Sequence, residues 1–85
     1  MKSFRYLIKD ELGVHARPAG LIVKEAKQYD CLITIQRDAK NVDASKLMAL
    51  MGLGIKQNDM VEVVFEGKEE EKAYQGFLTL FEEYL

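Results

Sequence analysis

The hydrophobic pattern changes once within residues 2–29, which read KSFRYLIKDELGVHARPAGLIVKEAKQY. Up to Ile8 the apolar side chains recur at every second position, and this period of two predicts a β-strand over residues 2–8. From Pro18 they recur every three or four positions, which predicts a helix with one apolar face. Pro18 fits the first turn of that helix, because its missing N–H would have no intrahelical partner there. The apolar face consists of Ala19, Ile22, Val23, Ala26 and Tyr29.

The rest of the chain continues with short strand and helix patterns, in the overall order β-α-β-β-α-β-α. Strands are predicted at residues 32–37 and 60–67, with a tight turn at residues 38–41 and a short strand that ends at Asp43. Helices are predicted from Leu47 to near Gly52 or Gly54 and over residues 69–85. Because each strand has one apolar face, we expect the helices to cover that face alone, in a two-layer α/β sandwich. The opposite sheet face should be exposed to solvent, and it would carry Arg5, Thr34, Gln36 and Glu62. The apolar face of the last helix consists of Ala73, Tyr74, Phe77, Leu78, Phe81 and Leu85.

Length and composition limit the classes of protein that fit. A chain of 85 residues is expected to form one domain, residues 1–85, with a small core. Its single cysteine, Cys31, can form no intramolecular disulfide and should be a buried small hydrophobe. Its single histidine excludes sites that need two, so neither a metal site nor a cofactor is predicted. No apolar run approaches the ~18 residues of a membrane span, and without a secretory signal a cytoplasmic location is expected.

The charges are unevenly distributed along the chain. The net charge is −2, with +2 in residues 1–30, +1 in residues 31–60 and −5 in residues 61–85. A nucleic-acid-binding domain would be basic overall, so this class is not favoured. The local basic excess, away from the acidic C-terminal helix, suits a small anion or an acidic protein partner. Together with the small size, this balance favours a carrier, adaptor or binding module over a self-contained enzyme.

Residues 13–18, Gly-Val-His-Ala-Arg-Pro, place the only histidine just before a predicted helix. A helix start presents free backbone N–H groups and the positive end of the helix dipole, which together bind anions. A neutral imidazole is a nucleophile. Arg17 and the dipole both disfavour a positive charge on His15 and would stabilise a negative group attached to it. The motif therefore indicates a histidine that accepts and releases a phosphoryl group, although by residue types alone an ordinary exposed histidine stays an open alternative.

Three segments resemble the histidine-containing phosphocarrier family, HPr, of the bacterial phosphoenolpyruvate-dependent sugar phosphotransferase system. They are residues 13–19 (GVHARPA), 23–26 (VKEA) and 45–54 (SKLMALMGLG). The resemblance extends over nearly the whole chain. It implies an α+β fold, a two-layer open-faced β-sandwich whose four-stranded antiparallel sheet carries three helices on one face.

The resemblance also implies a function. His15 would accept a phosphoryl group on Nδ1 from phosphorylated enzyme I and pass it to enzyme IIA domains for sugar uptake, as a carrier and not as a turnover enzyme. Arg17 and the backbone amides of Ala16 and Arg17 would hold the phosphoryl group. We expect Met48 and Met51 to be partly exposed, because so short a helix cannot turn all its apolar residues inward. The docking patch for both partners would consist of Gly20, Lys24, Lys27, Leu47, Met48 and Met51.

The sequence departs from the resemblance where Gram-positive members carry a regulatory serine. Their order is Lys-Ser, and an ATP-dependent kinase phosphorylates the serine; this chain has Ser45-Lys46, so Lys46 occupies the regulatory position. We predict that Ser45 is a helix N-cap, a contribution of ~1 kcal/mol, in preference to a shifted phosphorylation site. Phosphorylation of Ser45 is therefore in doubt, and so are the regulatory kinase and the catabolite repressor as partners.

Two further functions stay open at the level of sequence. One is an HPr-type regulatory adaptor that binds proteins without carrying phosphate. The presence of His15 argues against it, because a catalytically silent relative would not need the residue. The other is a nitrogen-branch phosphocarrier with the same chemistry and a signalling output, and the sequence does not separate it from a sugar carrier.

Overall fold

A computed structural model describes all residues from 1 to 85. It contains four strands and three helices in the predicted order β-α-β-β-α-β-α. None of the three helices combines the length and the apolarity needed to cross a membrane. The elements are β1 (Lys2–Leu7), α1 (Ala16–Ala26), β2 (Leu32–Arg37), β3 (Lys40–Asp43), α2 (Leu47–Gly52), β4 (Met60–Glu66) and α3 (Glu70–Tyr84).

The four strands form one sheet in the order β1-β4-β2-β3, and every neighbouring pair is antiparallel. Val63 on β4 lies opposite Phe4 on one side and Ile35 on the other, and all three side chains are buried. Arg5, Glu62 and Gln36 form the next row and point to the uncovered face. The predicted α+β open-faced sandwich, with the helices on one face of an antiparallel sheet, is confirmed.

The core lies between the sheet and the helices, and its centre is aromatic. The Phe4 and Phe81 rings meet edge to face with their centroids 5.5 Å apart, and the Phe65 and Phe77 rings do so at 5.4 Å. This geometry stabilises the core beyond the effect of burying the apolar rings. Leu80 is also buried, which widens the predicted apolar face of α3, because a helix that lies along a sheet contacts it through more than one row of side chains.

Two sequence predictions about single residues are wrong. Cys31 is half-buried, because it precedes β2 at the rim of the sheet, where burial still raises the pKa of its thiol. Ser45 is not the N-cap of α2; that position belongs to Lys46, which has no side-chain capping bond. The Ser45 N–H and hydroxyl groups instead donate to Asp43 Oδ1, over 2.8 and 2.7 Å, since the carboxylate two residues earlier offers a charged acceptor.

Candidate functional site

The backbone that leads into His15 is fixed by a second loop. Gly13 has φ +67°, and a Cβ atom there would lie 2.7 Å from Lys56 Cα and closer still to the Ile55 carbonyl oxygen. The buried Val14 donates its N–H to that same Ile55 oxygen over 3.1 Å. Glycine is therefore required at position 13 both for its conformation and for the close approach of the 55–56 segment.

His15 is the N-cap residue of α1, and its side chain makes no hydrogen bond within the chain. Its backbone is extended (φ −97°, ψ −172°), and its carbonyl oxygen accepts the Ala19 N–H over 2.9 Å. The imidazole makes no side-chain capping bond and is 40% exposed. The ring thus sits at the positive end of α1 and is accessible to a partner molecule.

Donors for an anion lie directly beside the ring. The N–H groups of Ala16 and Arg17, in the first turn of α1, have no intrahelical acceptor and no hydrogen bond to another segment. Pro18, which has no N–H, is buried. The exposed Arg17 side chain forms no ion pair and lines the same shallow depression as His15. The structure brings together the residues predicted to hold the phosphoryl group.

Two further residues line this depression, and the sequence did not indicate either of them. They are Asp10, whose Oδ2 atom is 4.0 Å from His15 Nε2, and Tyr84, near the end of α3. The Leu85 carbonyl oxygen accepts the N–H groups of Lys9 and Asp10, over 2.6 and 3.0 Å. The C-terminal end of α3 therefore reaches the histidine loop, and the expected separation of this helix from the histidine face is wrong for its last turn.

The residues predicted to dock partners fall on two neighbouring helices. Arg17, Gly20 and Lys24 of α1 and Lys27 at its C-cap recur at three- and four-residue spacing and are all exposed, so they share the solvent face of the helix. Leu50 of α2 is 1% exposed and anchors that helix, which contacts α1. The predicted exposure of the methionines is confirmed. The exposed fractions on α2 are 41% for Leu47, 80% for Met48 and 39% for Met51.

The two lysines of the predicted docking patch have different surroundings. Lys24 lines an open groove between α1 and α3, together with Glu25 and Glu83. Lys27 borders a smaller pocket that also contains Asp43 and Ser45. A Cβ atom at Gly20 would meet nothing within 4 Å, so this glycine leaves open space on the helix between Arg17 and Lys24. No group of three or more His, Cys, Asp or Glu side chains is arranged to hold a metal ion.

Comparison with known proteins agrees with this geometry. The chain matches the family described as "PTS HPr component phosphorylation site" over residues 2–83. The phosphocarrier protein HPr of Lysinibacillus sphaericus is 31% identical over 83 residues, which are 98% of this chain and 94% of the relative. The HPr-like protein Crh of Halalkalibacterium halodurans is 35% identical over 75 residues, 88% of this chain and 89% of the relative. The crystal structure of HPr-C-His from Thermoanaerobacter tengcongensis has a TM-score of 0.92 at 38% identity, and the match covers 96% of this chain and 92% of that one.

An open-faced sandwich that presents an exposed histidine at a helix start, with no enclosed cleft around it, is typical of a class of small carrier proteins. The chain belongs to the HPr family of phosphocarrier proteins of the phosphotransferase system. Members of this family are not turnover enzymes.

Proposed function

We propose that this chain accepts a phosphoryl group on His15 from phosphorylated enzyme I and passes it to enzyme IIA domains for sugar uptake. The observation that carries the proposal is the placement of His15, 40% exposed at the N-terminus of α1, beside the free N–H groups of Ala16 and Arg17. A surface position suits a carrier, because each larger partner can then complete the reaction site around the ring. The proposal treats residues 1–85 as one domain and places it in the cytoplasm.

The proposed transfer uses only groups at the start of α1. The Nδ1 lone pair forms a bond to phosphorus, while the bond from phosphorus to the donor breaks and its electron pair stays with the donor. The N–H groups of Ala16 and Arg17 and the Arg17 guanidinium would then hold the phosphoryl oxygens. Onward transfer is the same displacement in reverse, with Nδ1 as the leaving atom.

Docking would use the exposed faces of α1 and α2. Leu47, Met48 and Met51 supply apolar surface, and methionine side chains adapt to partners of different shape. Lys24 and Lys27 supply positive charge for acidic partners. Gly20 lies on the same face, between Arg17 and Lys24. One patch that binds donor and acceptor in turn suits a shuttle, since the two complexes need not coexist.

A regulatory adaptor is the second candidate, because the Crh relative is described as HPr-like. An adaptor that carries no phosphate would not need a free imidazole among anion-binding groups. We therefore place the adaptor function second. The Ser45-Lys46 order also gives no support for control by a serine kinase.

Labelling tests the proposal directly. Incubation with enzyme I and labelled phosphoenolpyruvate is expected to place one acid-labile, base-stable phosphoryl group on the protein, and His15→Ala is expected to abolish it. Arg5→Ala, a substitution on the uncovered sheet face, serves as the control and should label like the parent protein. Labelling of His15→Ala at the parental level, with its fold intact by circular dichroism, would contradict the assignment.

A further inference from the structure

Asp10 is the one carboxylate that lines the depression around His15. Its Oδ2 atom lies 4.0 Å from Nε2 of the ring, and the Asp10 and His15 side chains are 38% and 40% exposed. The other lining residues are Arg17, Pro18 and Tyr84, so the charged side chains beside the ring are one anion and one cation. The anion lies close to Nε2, the nitrogen that would not carry the phosphoryl group.

Asp10 is held in this place by hydrogen bonds on both sides. Its N–H donates to the Leu85 carbonyl oxygen over 3.0 Å, and its own carbonyl oxygen accepts the Gly13 N–H over 3.0 Å. Its Oδ2 atom also accepts the Leu12 N–H over 3.0 Å. The carboxylate is therefore fixed by the loop that carries His15 and by the end of α3, and it does not swing freely in solvent.

We propose that Asp10 is a positioning residue for the imidazole, and this rests on the proposed function of His15. The carboxylate favours the tautomer with hydrogen on Nε2, because a proton there faces a negative charge. Nδ1 then keeps the lone pair that must attack phosphorus. The acidic loop residue thus biases the ring toward the tautomer whose Nδ1 is nucleophilic.

The same contact acts after the phosphoryl group has arrived. When Nδ1 bonds to phosphorus and Nε2 keeps its proton, the ring carries a positive charge, and the Asp10 carboxylate stabilises it. In onward transfer the P–N bond breaks, its electron pair returns to Nδ1, and the ring leaves as neutral imidazole with Nε2 still protonated. Loss of the Nε2 proton before transfer would force the ring to leave as an anion, which is a much poorer leaving group.

The tautomer ratio of His15 tests the proposal without any partner protein. Long-range ¹H–¹⁵N spectra of the labelled protein at about pH 9, above the usual titration range of imidazole, report which ring nitrogen carries hydrogen. In Asp10→Asn the ratio of the Nε2–H to the Nδ1–H form is expected to fall about two- to fivefold, as suits a solvent-exposed charged contact. Asparagine keeps an acceptor for the Leu12 N–H, so the loop should hold its shape.

Glu11→Gln is the matched control, because it removes the same charge one residue further along and its side chain makes no hydrogen bond or ion pair with the rest of the chain. It should leave the tautomer ratio unchanged. An unchanged ratio in Asp10→Asn, or an equal change in both variants, would overturn the role of Asp10.

Transfer kinetics supply the functional readout. Asp10→Asn loaded by enzyme I is expected to pass its phosphoryl group to an enzyme IIA domain about two- to fivefold more slowly, because without the carboxylate less of the phosphorylated ring keeps its Nε2 proton. Glu11→Gln should transfer at the parental rate. Parental transfer in Asp10→Asn would also overturn the proposal. A parent protein that enzyme I does not label would instead overturn the proposed function, while the tautomer ratio would still decide the role of Asp10.

Discussion

Met48 is the most exposed apolar side chain of α2, at 80%. Its neighbour Leu50 is buried, so burial of Met48 is not needed to hold the helix in place. A large apolar group that the fold leaves in water is typical of a surface that a partner covers. We therefore expect Met48 to contribute to binding and little to stability.

Replacement of Met48 by Gln tests whether this side chain contributes to binding and not to stability. We expect the KM of enzyme I for this protein to rise about fivefold, the effect of losing a moderate interface contact, with little change in kcat or in thermal stability. Met60→Gln is the matched control, because Met60 is 52% exposed on β4, on the opposite face of the sheet. Equal KM values for the two variants would remove Met48 from the docking surface.

Ser45 has its hydroxyl group engaged within the protein. The hydroxyl donates to Asp43 Oδ1 over 2.7 Å, and this bond is the main reason why the pKa of Asp43 is lowered, followed by the Ser45 backbone N–H and the charge of Lys46. A kinase would have to break this charge-assisted bond and bring phosphate close to a carboxylate. Position 46, by contrast, is exposed at the start of α2 and has no side-chain hydrogen bond.

We predict that an HPr serine kinase with ATP leaves the parent protein unlabelled and labels the Lys46→Ser variant. The physical reason is that a hydroxyl at position 46, the N-cap of α2, would at most accept a weak capping bond from a backbone N–H, whereas the Ser45 hydroxyl donates to the Asp43 carboxylate. The double variant Ser45→Ala, Lys46→Ser should keep the label, which locates it at position 46. Stoichiometric label on Ser45 of the parent protein would contradict this account and would restore serine control.

At the scale of elements, a side chain of β2 holds the loop that supports the histidine. Arg37 Nε donates to Asp59 Oδ2 over 2.8 Å, and its Nη1 donates to the Leu53 carbonyl oxygen over 2.9 Å. The same Asp59 oxygen accepts the Lys56 N–H over 2.7 Å, and this bond is the first cause of the lowered pKa of Asp59, with Arg37 next among the favourable ones. Residues 53–59 are thereby fixed as the surface on which Gly13 and Val14 rest.

Removal of the Arg37 side chain should loosen this support. We expect Arg37→Ala to lower the free energy of unfolding by about 1.5–3 kcal/mol, the range for hydrogen bonds that involve a charged group. The Val14 amide, bonded to Ile55, should exchange its hydrogen faster. Arg5→Ala is the control, since Arg5 is exposed and forms no ion pair. Unchanged protection of the Val14 amide from hydrogen exchange in Arg37→Ala would show that the loop does not depend on the Arg37 hydrogen bonds.

The elements themselves were predictable because each has a local pattern. The alternation up to Ile8 and the helical spacing after Pro18 reflect which side chains a strand or a helix can turn to one side, and this depends on few neighbours. His15 and Arg17 were predictable for the same reason, since they are two residues apart in sequence and at one helix start. Asp10 and Tyr84 were not, because they meet only after α3 packs across the sheet, a contact that no local pattern records.

At the scale of the whole molecule, acidic groups at the start of α3 hold the N-terminal residues in place. The amino group of Met1 lies 2.8 Å from Glu70 Oε2, and Lys2 Nζ lies 2.7 Å from Glu71 Oε2. These contacts lower the pKa values of both glutamates, the Met1 amino group being the first cause for Glu70 and Lys2 the first cause for Glu71. The negative start of α3 thus ties the helix to β1, at the opposite end of α3 from Tyr84.

This charge arrangement predicts that stability decreases in acid. Asp43, Asp59, Glu70 and Glu71 all have pKa values lowered by folding, so at low pH the unfolded chain binds more protons than the folded one. Their contribution is complete above the ordinary carboxylate range near ~4 and is lost as the pH falls through the lowered folded values. Urea midpoints should therefore be nearly constant from about pH 7 to 5.5 and should fall steadily below about pH 4.5.

Salt separates the four carboxylates into two pairs. The surface ion pairs of Glu70 and Glu71 are screened by salt, whereas the bonds of Asp43 to Ser45 and of Asp59 to the Lys56 N–H depend mainly on short-range geometry. In about 1 M NaCl, where the Debye length is about 3 Å, the acid decrease should shrink in the parent protein without disappearing. The double variant Asp43→Asn, Asp59→Asn should show the complementary result, a smaller decrease at low salt and almost none at high salt. A decrease that salt leaves unchanged would mean that the ion pairs of Glu70 and Glu71 contribute nothing to the acid sensitivity. The two aspartates would then account for all of it.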